Sequence, residues 1–288
     1  MKKILIPFIV GMAVSCAHPS LRAQEFKETI SRKFTLQKEA IAGTLAIYNI
    51  NGSIKVEGYA GNEVVCKVDM TISAKNSTDL ETGKKEFKPE FIQNEDSIIA
   101  YIAEPFDTRP HRSQNRHGQN RQVNYDFKLD FVVKVPYNMN LDISTINEGA
   151  IVVENVNGKL NVHHVNGAVT LNNAKGTTNA GTVNGDVTVT YLSNPSGNSS
   201  YNTINGDINV EYRSDLSADM QFKSMHGEFY TDFPNVEVLP AVTIKNKMKE
   251  GDGTVYKLNK TTAIRIGSGG KVFEFETLNG NVYIKKQS

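Results

Sequence analysis

The chain has 288 residues, with 32 Lys and Arg against 31 Asp and Glu, 22 Gly, 2 Cys and no Trp. The length gives a sizeable core in one or two domains. A composition of 39% hydrophobic and 22% charged residues excludes a disordered tail and a membrane bundle, and the near-neutral balance is not the basic domain that nucleic acid selects. Asn, Thr, Val and Gly are abundant, a mix that favours strands and tight turns.

The N-terminus reads as an export signal. Lys2 and Lys3 precede an apolar run from Ile4 to Ala17, and Leu21-Arg22-Ala23 offers a small residue for cleavage. The run is too short for a stable transmembrane anchor. Residues 1–23 are therefore assigned to a signal peptide and residues 24–288 to one β domain. Ala13-Val14-Ser15-Cys16 supplies the alternative, lipid anchoring at Cys16. Removing residues 1–23 takes away three basic residues and no acid, so the mature chain is slightly acidic.

Residues 24–75 carry a strand, turn, strand unit around Asn51-Gly52. Val64, Cys66, Val68 and Met70 share one face of a strand, which makes Cys66 a small buried hydrophobe. Residues 76–90 are polar, with Ser77 placed to cap a short helix. Ile98–Ile102 and Tyr125–Val135 resume as strands. Between them, a polar insertion at about 104–122 carries Arg109, Arg112, Arg116 and Arg121. It reads either as a solvated surface loop or as a basic finger for an anionic partner.

The central segment holds the main signal. Gly149, Gly158, Gly167, Gly176 and Gly185 are nine residues apart, and Gly206 and Gly227 follow at intervals of 21. Apolar residues keep phase with them at +2, +4 and +7, for example Ile151, Val153 and Val156. An antiparallel meander would alternate with period two throughout. Here the steps of three and four break the phase twice per unit, as expected where a chain turns corners. The pattern predicts an all-β single-stranded β-helix, or β-solenoid, with coils of about 18–21 residues. Gly149, Gly167, Gly185, Gly206 and Gly227 should stack at one corner, and Gly158 and Gly176 at the other. The unit around Gly280 should close the C-terminal end.

Thr182-Val183-Asn184-Gly185-Asp186-Val187, Thr203-Ile204-Asn205-Gly206-Asp207-Ile208 and Thr277–Ile284 share one element. With Val132–Pro136 and Ile266–Gly270, it resembles the bacterial "putative adhesin" family, a domain of unknown function related to autotransporter adhesin head domains. The resemblance covers most of residues 35–286. It implies an exported right-handed β-helix and supplies no catalytic residues.

Catalytic and metal-binding patterns are weak. His163 and His164 are adjacent on a strand and so face opposite ways. Asp186, Asp207 and Glu228 follow corner glycines and suggest a short acidic ladder, read as a solvated corner or as a calcium-binding row. No cofactor is implied. The sequence points to a non-catalytic cell-envelope or surface protein, periplasmic or extracellular, acting as an adhesin-like binding or structural scaffold. Its partner would be a cell-surface glycan or another envelope protein. Candidate binding residues are Arg109, Arg112, Arg116, Arg121, Asp186 and Asp207. The alternative is a polysaccharide lyase or hydrolase built on a β-helix.

Overall fold

A computed structural model describes residues 23–36, 43–110, 122–250 and 253–287. The strands are β1 (Gln24–Thr35), β2 (Thr44–Tyr48), β3 (Ile54–Tyr59), β4 (Glu63–Ala74), β5 (Lys88–Gln93), β6 (Ser97–Glu104), β7 (Tyr125–Pro136), β8 (Asn140–Thr145), β9 (Ile151–Glu154), β10 (Leu160–His164), β11 (Val169–Ala174), β12 (Thr178–Gly181), β13 (Val187–Tyr191), β14 (Ser199–Asn202), β15 (Ile208–Tyr212), β16 (Ala218–Lys223), β17 (Phe229–Thr231), β18 (Glu237–Glu250), β19 (Gly253–Ile266), β20 (Lys271–Glu276) and β21 (Val282–Lys286). Among the described residues the one helix is α1 (Ser77–Glu86). It is too short and polar to cross a membrane.

The short central strands form a β-solenoid. Each coil contributes one strand to a ten-stranded first sheet and one to an eleven-stranded second sheet. The first sheet runs β1-β4-β7-β3-β9-β11-β13-β15-β21-β17, and the second runs β18-β19-β16-β20-β14-β12-β10-β8-β2-β6-β5. Neighbouring coils pair in parallel: Val169 lies opposite both Ile151 and Val187, and Leu160 opposite both Leu141 and Thr178. Alternate residues point inward, so Ile151, Val153, Val169, Leu171, Val187 and Val189 form one wall of the core. Leu141, Ile143, Leu160, Val162 and Ala180 form the other. Antiparallel strands flank this stack, with β1 and β4 beside β7, β5 beside β6, and β19 and β18 beside β16.

Coil order differs from chain order at both ends. β2 and β3 are bordered on one side by β6 and β7 and on the other by β8 and β9. The unit around Gly280 does not close the stack, as the sequence suggested. Instead β20 and β21 insert between β14/β15 and β16/β17, paired in parallel on both sides. The long β18–β19 ribbon carries the chain out before it returns, which lets a late segment occupy an inner place.

Two further expectations change. The inward residue is not always at +7. Val156 and Ala174 are buried, but Leu192 is 51% exposed and Tyr191 is buried in its stead. Asn155 and Asn173 have φ of 59° and 57°, and the register beside Asn173 shifts by one residue. That extra residue is missing from the Tyr191 coil, so its inward position comes one step earlier. Asn76, not Ser77, caps α1: its side chain accepts the Asp79 N–H. Cys66 is buried as expected, and burial pushes its thiol up to about 12.

Candidate functional site

The corner leading from the second sheet to the first repeats one chemical pattern. A polar inward residue is followed by an apolar residue, an Asn and a Gly. The glycine is required by close approach. A Cβ on Gly185 would lie 2.4 Å from the Gly167 carbonyl oxygen, and one on Gly206 would lie 2.0 Å from that of Gly185. The inward threonines use those carbonyls: Thr182 donates to Gly167 O at 2.8 Å and Thr203 to Gly185 O at 2.9 Å.

The corner asparagines form a side-chain ladder along the solenoid. Asn147 donates to Asn51, Asn166 to Asn147, Asn184 to Asn166, Asn205 to Asn184 and Asn279 to Asn205, over 2.7–3.2 Å. His226 ends the row, with Nδ1 3.1 Å from the Asn279 Oδ1. Glycines follow the same order, so Gly280 stands between Gly206 and Gly227, which do not stack directly. At the opposite corner Gly176 approaches Gly158, and Gly158 approaches Met139. Gly149 has φ of 100° and lies against Ser53.

The two aspartates proposed for binding belong to this corner. Asp186 accepts the backbone N–H of Asp207 at 2.8 Å, and Asp207 accepts that of Asn281 at 2.7 Å. Asn281 in turn accepts the Glu228 N–H. The row is therefore Asp186, Asp207, Asn281, Glu228, interrupted by a neutral amide where the C-terminal strand inserts. Each side chain caps the rung beside it. Among the described residues, no group of three or more His, Cys, Asp and Glu is placed to hold a metal ion.

Arg109 is committed locally. Its guanidinium pairs with Asp107 through Nε at 2.9 Å and Nη2 at 2.5 Å, and lies 4.1 Å from the centre of the Tyr101 ring. Arg112, Arg116 and Arg121 lie outside the described residues, as do residues 1–22 with Cys16.

A second connected polar row lies on the outer face of the second sheet. Tyr48 Oη donates to Asp142 at 2.6 Å, Asn161 donates to Asp142 at 2.7 Å, Asn179 to Asn161 at 2.8 Å and Ser200 to Asn179 at 2.8 Å. The His163 Nε2 sits 3.0 Å from the Asn161 Oδ1 and 3.2 Å from the Asn179 Nδ2. Five parallel strands, β2, β8, β10, β12 and β14, thus carry one hydrogen-bonded row. Burial raises the Tyr48 phenol, reinforced by the Asp142 carboxylate it donates to, and keeps it protonated. Burial lowers His163, and the Asp142 carboxylate only partly offsets this. His164 faces inward and is buried, as alternation required. Beside the row a groove of about 300 Å³ opens among Lys159, Thr177, Asn179, Asn198, Ser200 and Glu274.

Part of this groove, from Lys159 to Ser200, lies within a segment that matches a known family. Residues 138–263 match the Toastrack family, DUF4097. The Toastrack segment covers the central coils, β16, β17 and most of the ribbon, and stops short of β20 and β21. A "putative cell adhesion protein" from Clostridium sporogenes is similar at 10% identity and a TM-score of 0.38, over 92% of this chain and 100% of that one. A "putative adhesin" from Bacteroides fragilis is similar at 12% identity and a TM-score of 0.35, over 90% of this chain and 97% of that one. A "putative lipid binding protein" from Parabacteroides distasonis gives 9% identity and a TM-score of 0.26, over 91% and 97%. No curated protein matches the chain.

The row from Tyr48 to Ser200 is not among the residues that the sequence singles out. Its signal is the pair of 18- and 21-residue offsets joining Asn161, Asn179 and Ser200. Those offsets fall at outward positions of the repeat, where no apolar phase marks them.

Proposed function

We propose that the chain is an exported, non-catalytic cell-envelope or surface protein that acts as an adhesin-like binding and structural scaffold. The observation that carries this reading is the long outer face of the second sheet. Its acids, amides and hydroxyls bond along the solenoid rather than converging on one point. A hydrolase would need two carboxylates set on either side of a scissile bond. Asp186 and Asp207 instead hold backbone N–H groups of the next rung. The partner in this reading is a cell-surface glycan or another envelope protein, and residues 1–23 direct export.

Two measurements test it. Intact mass of the processed protein should place the new N-terminus near Gln24, whereas a diacylated Cys16 would replace the soluble form with an anchored one. A depolymerisation screen with acidic and neutral polysaccharides should give no turnover. Turnover abolished by Asp186→Asn or Asp207→Asn would overturn the non-catalytic reading.

A further inference from the structure

We infer that the groove on the outer face of the second sheet is a binding site for a linear oligosaccharide of about three rings, with an acidic sugar at the Lys159 end. The inference deepens the scaffold reading and rests on it. The groove runs from the start of β10 across β12, β14 and β20, where Asn161, Asn179, Ser200 and Glu274 are register partners in turn. Its outward positions form two rows. One runs Lys159, Thr177, Asn198, Val272, and the other Asn179, Ser200, Glu274. Small side chains on β12 and β14 make the floor, while Lys159 and Glu274 stand at the two ends, roughly 16 Å apart from three strand spacings of about 4.8 Å and a two-residue offset of about 6.6 Å along the strands.

The chemistry on offer is specific. Among the described residues the Lys159 ammonium, the Thr177 hydroxyl and the Glu274 carboxylate have no side-chain partner. Asn198 uses its Oδ1 on the Val272 N–H and keeps its amide N–H groups. Ser200 donates to Asn179 and keeps its oxygen as an acceptor. Donors therefore stand toward the Lys159 end and acceptors toward the Glu274 end, at strand spacings about the length of one pyranose ring, over a floor already fixed by its own hydrogen bonds. Such a floor loses little side-chain entropy when a polyol settles on it.

Other ligand classes fit less well. An extended peptide needs an open sheet edge or side-chain pockets. These strands are interior, with their backbone groups committed on both sides, and Val272 is the one apolar lining residue. A polyphosphate or nucleic acid needs several cations, and the groove offers Lys159 alone, facing Glu274. One ammonium suits one carboxylate-bearing sugar.

The test is calorimetric titration of the full processed chain with a trisaccharide carrying one terminal uronate, glucuronosyl-xylobiose, and with neutral xylotriose, alongside thermal melts. Wild type should bind the acidic trimer more tightly than the neutral one. Lys159→Ala, an exposed position, should weaken the acidic trimer about tenfold, leave the neutral trimer unchanged and leave the melting temperature unchanged. Ser200→Ala should weaken both trimers severalfold. No heat from either trimer, or equal affinity for the acidic trimer in wild type and Lys159→Ala, overturns the site. Binding that disappears when residues 109–121 are deleted also overturns the site while leaving the scaffold reading in place. Cleavage of either trimer overturns the scaffold reading itself.

Discussion

At the N-terminal end of the solenoid, β2 and β3 lie between β6/β7 and β8/β9; at the C-terminal end, β20 and β21 lie between β14/β15 and β16/β17. The two places are equivalent in space and opposite in chain order. β2 and β3 come first and wait for partners that are added to either side. β20 and β21 come last and must enter a slot whose walls precede them in the chain. Between these ends the coils simply stack in sequence, each on the edge left by the one before. Chain order is thus free at the ends and fixed in the middle, because only the ends have long excursions, β4 to β6 and β18 to β19, that let a strand return out of turn.

The largest effect should follow from deleting residues 271–288. That removes the buried Phe273, Phe275, Val282 and Ile284, worth about 6–12 kcal/mol at roughly 1.5–3 each. This is comparable to the whole stability of a domain. It also removes the strands that, among the described residues, join β16 and β17 to β14 and β15. Hydrogen exchange should show residues 216–266 exchanging freely while residues 140–212 keep their protection. Full protection of 216–231 in the truncated chain would mean that β16 and β17 dock directly on β14 and β15, and the two ends would then not differ as argued.

Corner glycines sharpen the contrast by position. Gly185→Val puts a Cβ 2.4 Å from backbone in the middle, and Gly280→Val puts one 1.9 Å from the Gly206 carbonyl oxygen at the inserted end. Both should lose more than about 3 kcal/mol, since interior backbone cannot move away cheaply. The Gly185 variant should lower the main thermal transition. The Gly280 variant should detach an early transition confined to residues 216–287. Ser53→Ala, which loses one bond to Asp130, should cost no more than about 1 kcal/mol. Similar single transitions in all three variants would remove the distinction between middle and end.

The middle was legible in the sequence and the ends were not. Gly149 to Gly185 repeat with a period that fixes coil length, corners and the inward residues at +2 and +4, because each coil there touches its chain neighbours. Gly280 carries the same local signature as Gly206. A local signature cannot say which of two coils it will separate, and that depends on the long ribbon bringing residue 271 back beside residue 199. The same limit hid the Asn281 break in the acidic row. Leu192 was misplaced for a different reason: the extra residue at Asn173 is a left-handed backbone feature, and Asn at that position does not require it. The groove went unseen because its residues, Lys159 to Glu274, are more than a hundred positions apart and ordinary in composition.

The asparagine ladder gives a smaller but more pointed test of coil order. Asn205 donates to Asn184 and accepts from Asn279. Asn205→Ala should therefore cost about 1–2 kcal/mol, two exposed hydrogen bonds at roughly 0.5–1 each. A double-mutant cycle separates the possible neighbours. Asn205→Ala and Asn279→Ala should couple, and Asn205→Ala and His226→Ala should add. Coupling between positions 205 and 226 instead would restore the sequential order and remove the inserted strand.

The smallest effect concerns the one imidazole in the inward corner column. Thr145, Thr182, Thr203 and Thr277 each donate to a glycine carbonyl, whereas His164 fills the matching place with a buried imidazole. Burial lowers its affinity for a proton, although the Gly149 carbonyl favours the protonated ring. His163 is lowered too, by burial against the pull of Asp142. Lowered values mean that the unfolded chain binds protons first, near the ordinary histidine value of 6.5. The stability contributed by neutral His164 is therefore complete above that value and declines as pH falls below it. His164→Thr should sit within about 1 kcal/mol of wild type at pH 7.5, the size of one hydrogen bond gained against packing lost. At pH 5.5 it should be the more stable of the two, with a residual slope left by His163. Chemical denaturation at both pH values reads this directly. Parallel slopes for the two proteins would mean that folding leaves the proton affinity of His164 unchanged, the Gly149 carbonyl fully offsetting burial, and that the middle of the column is as insensitive to pH as its threonines.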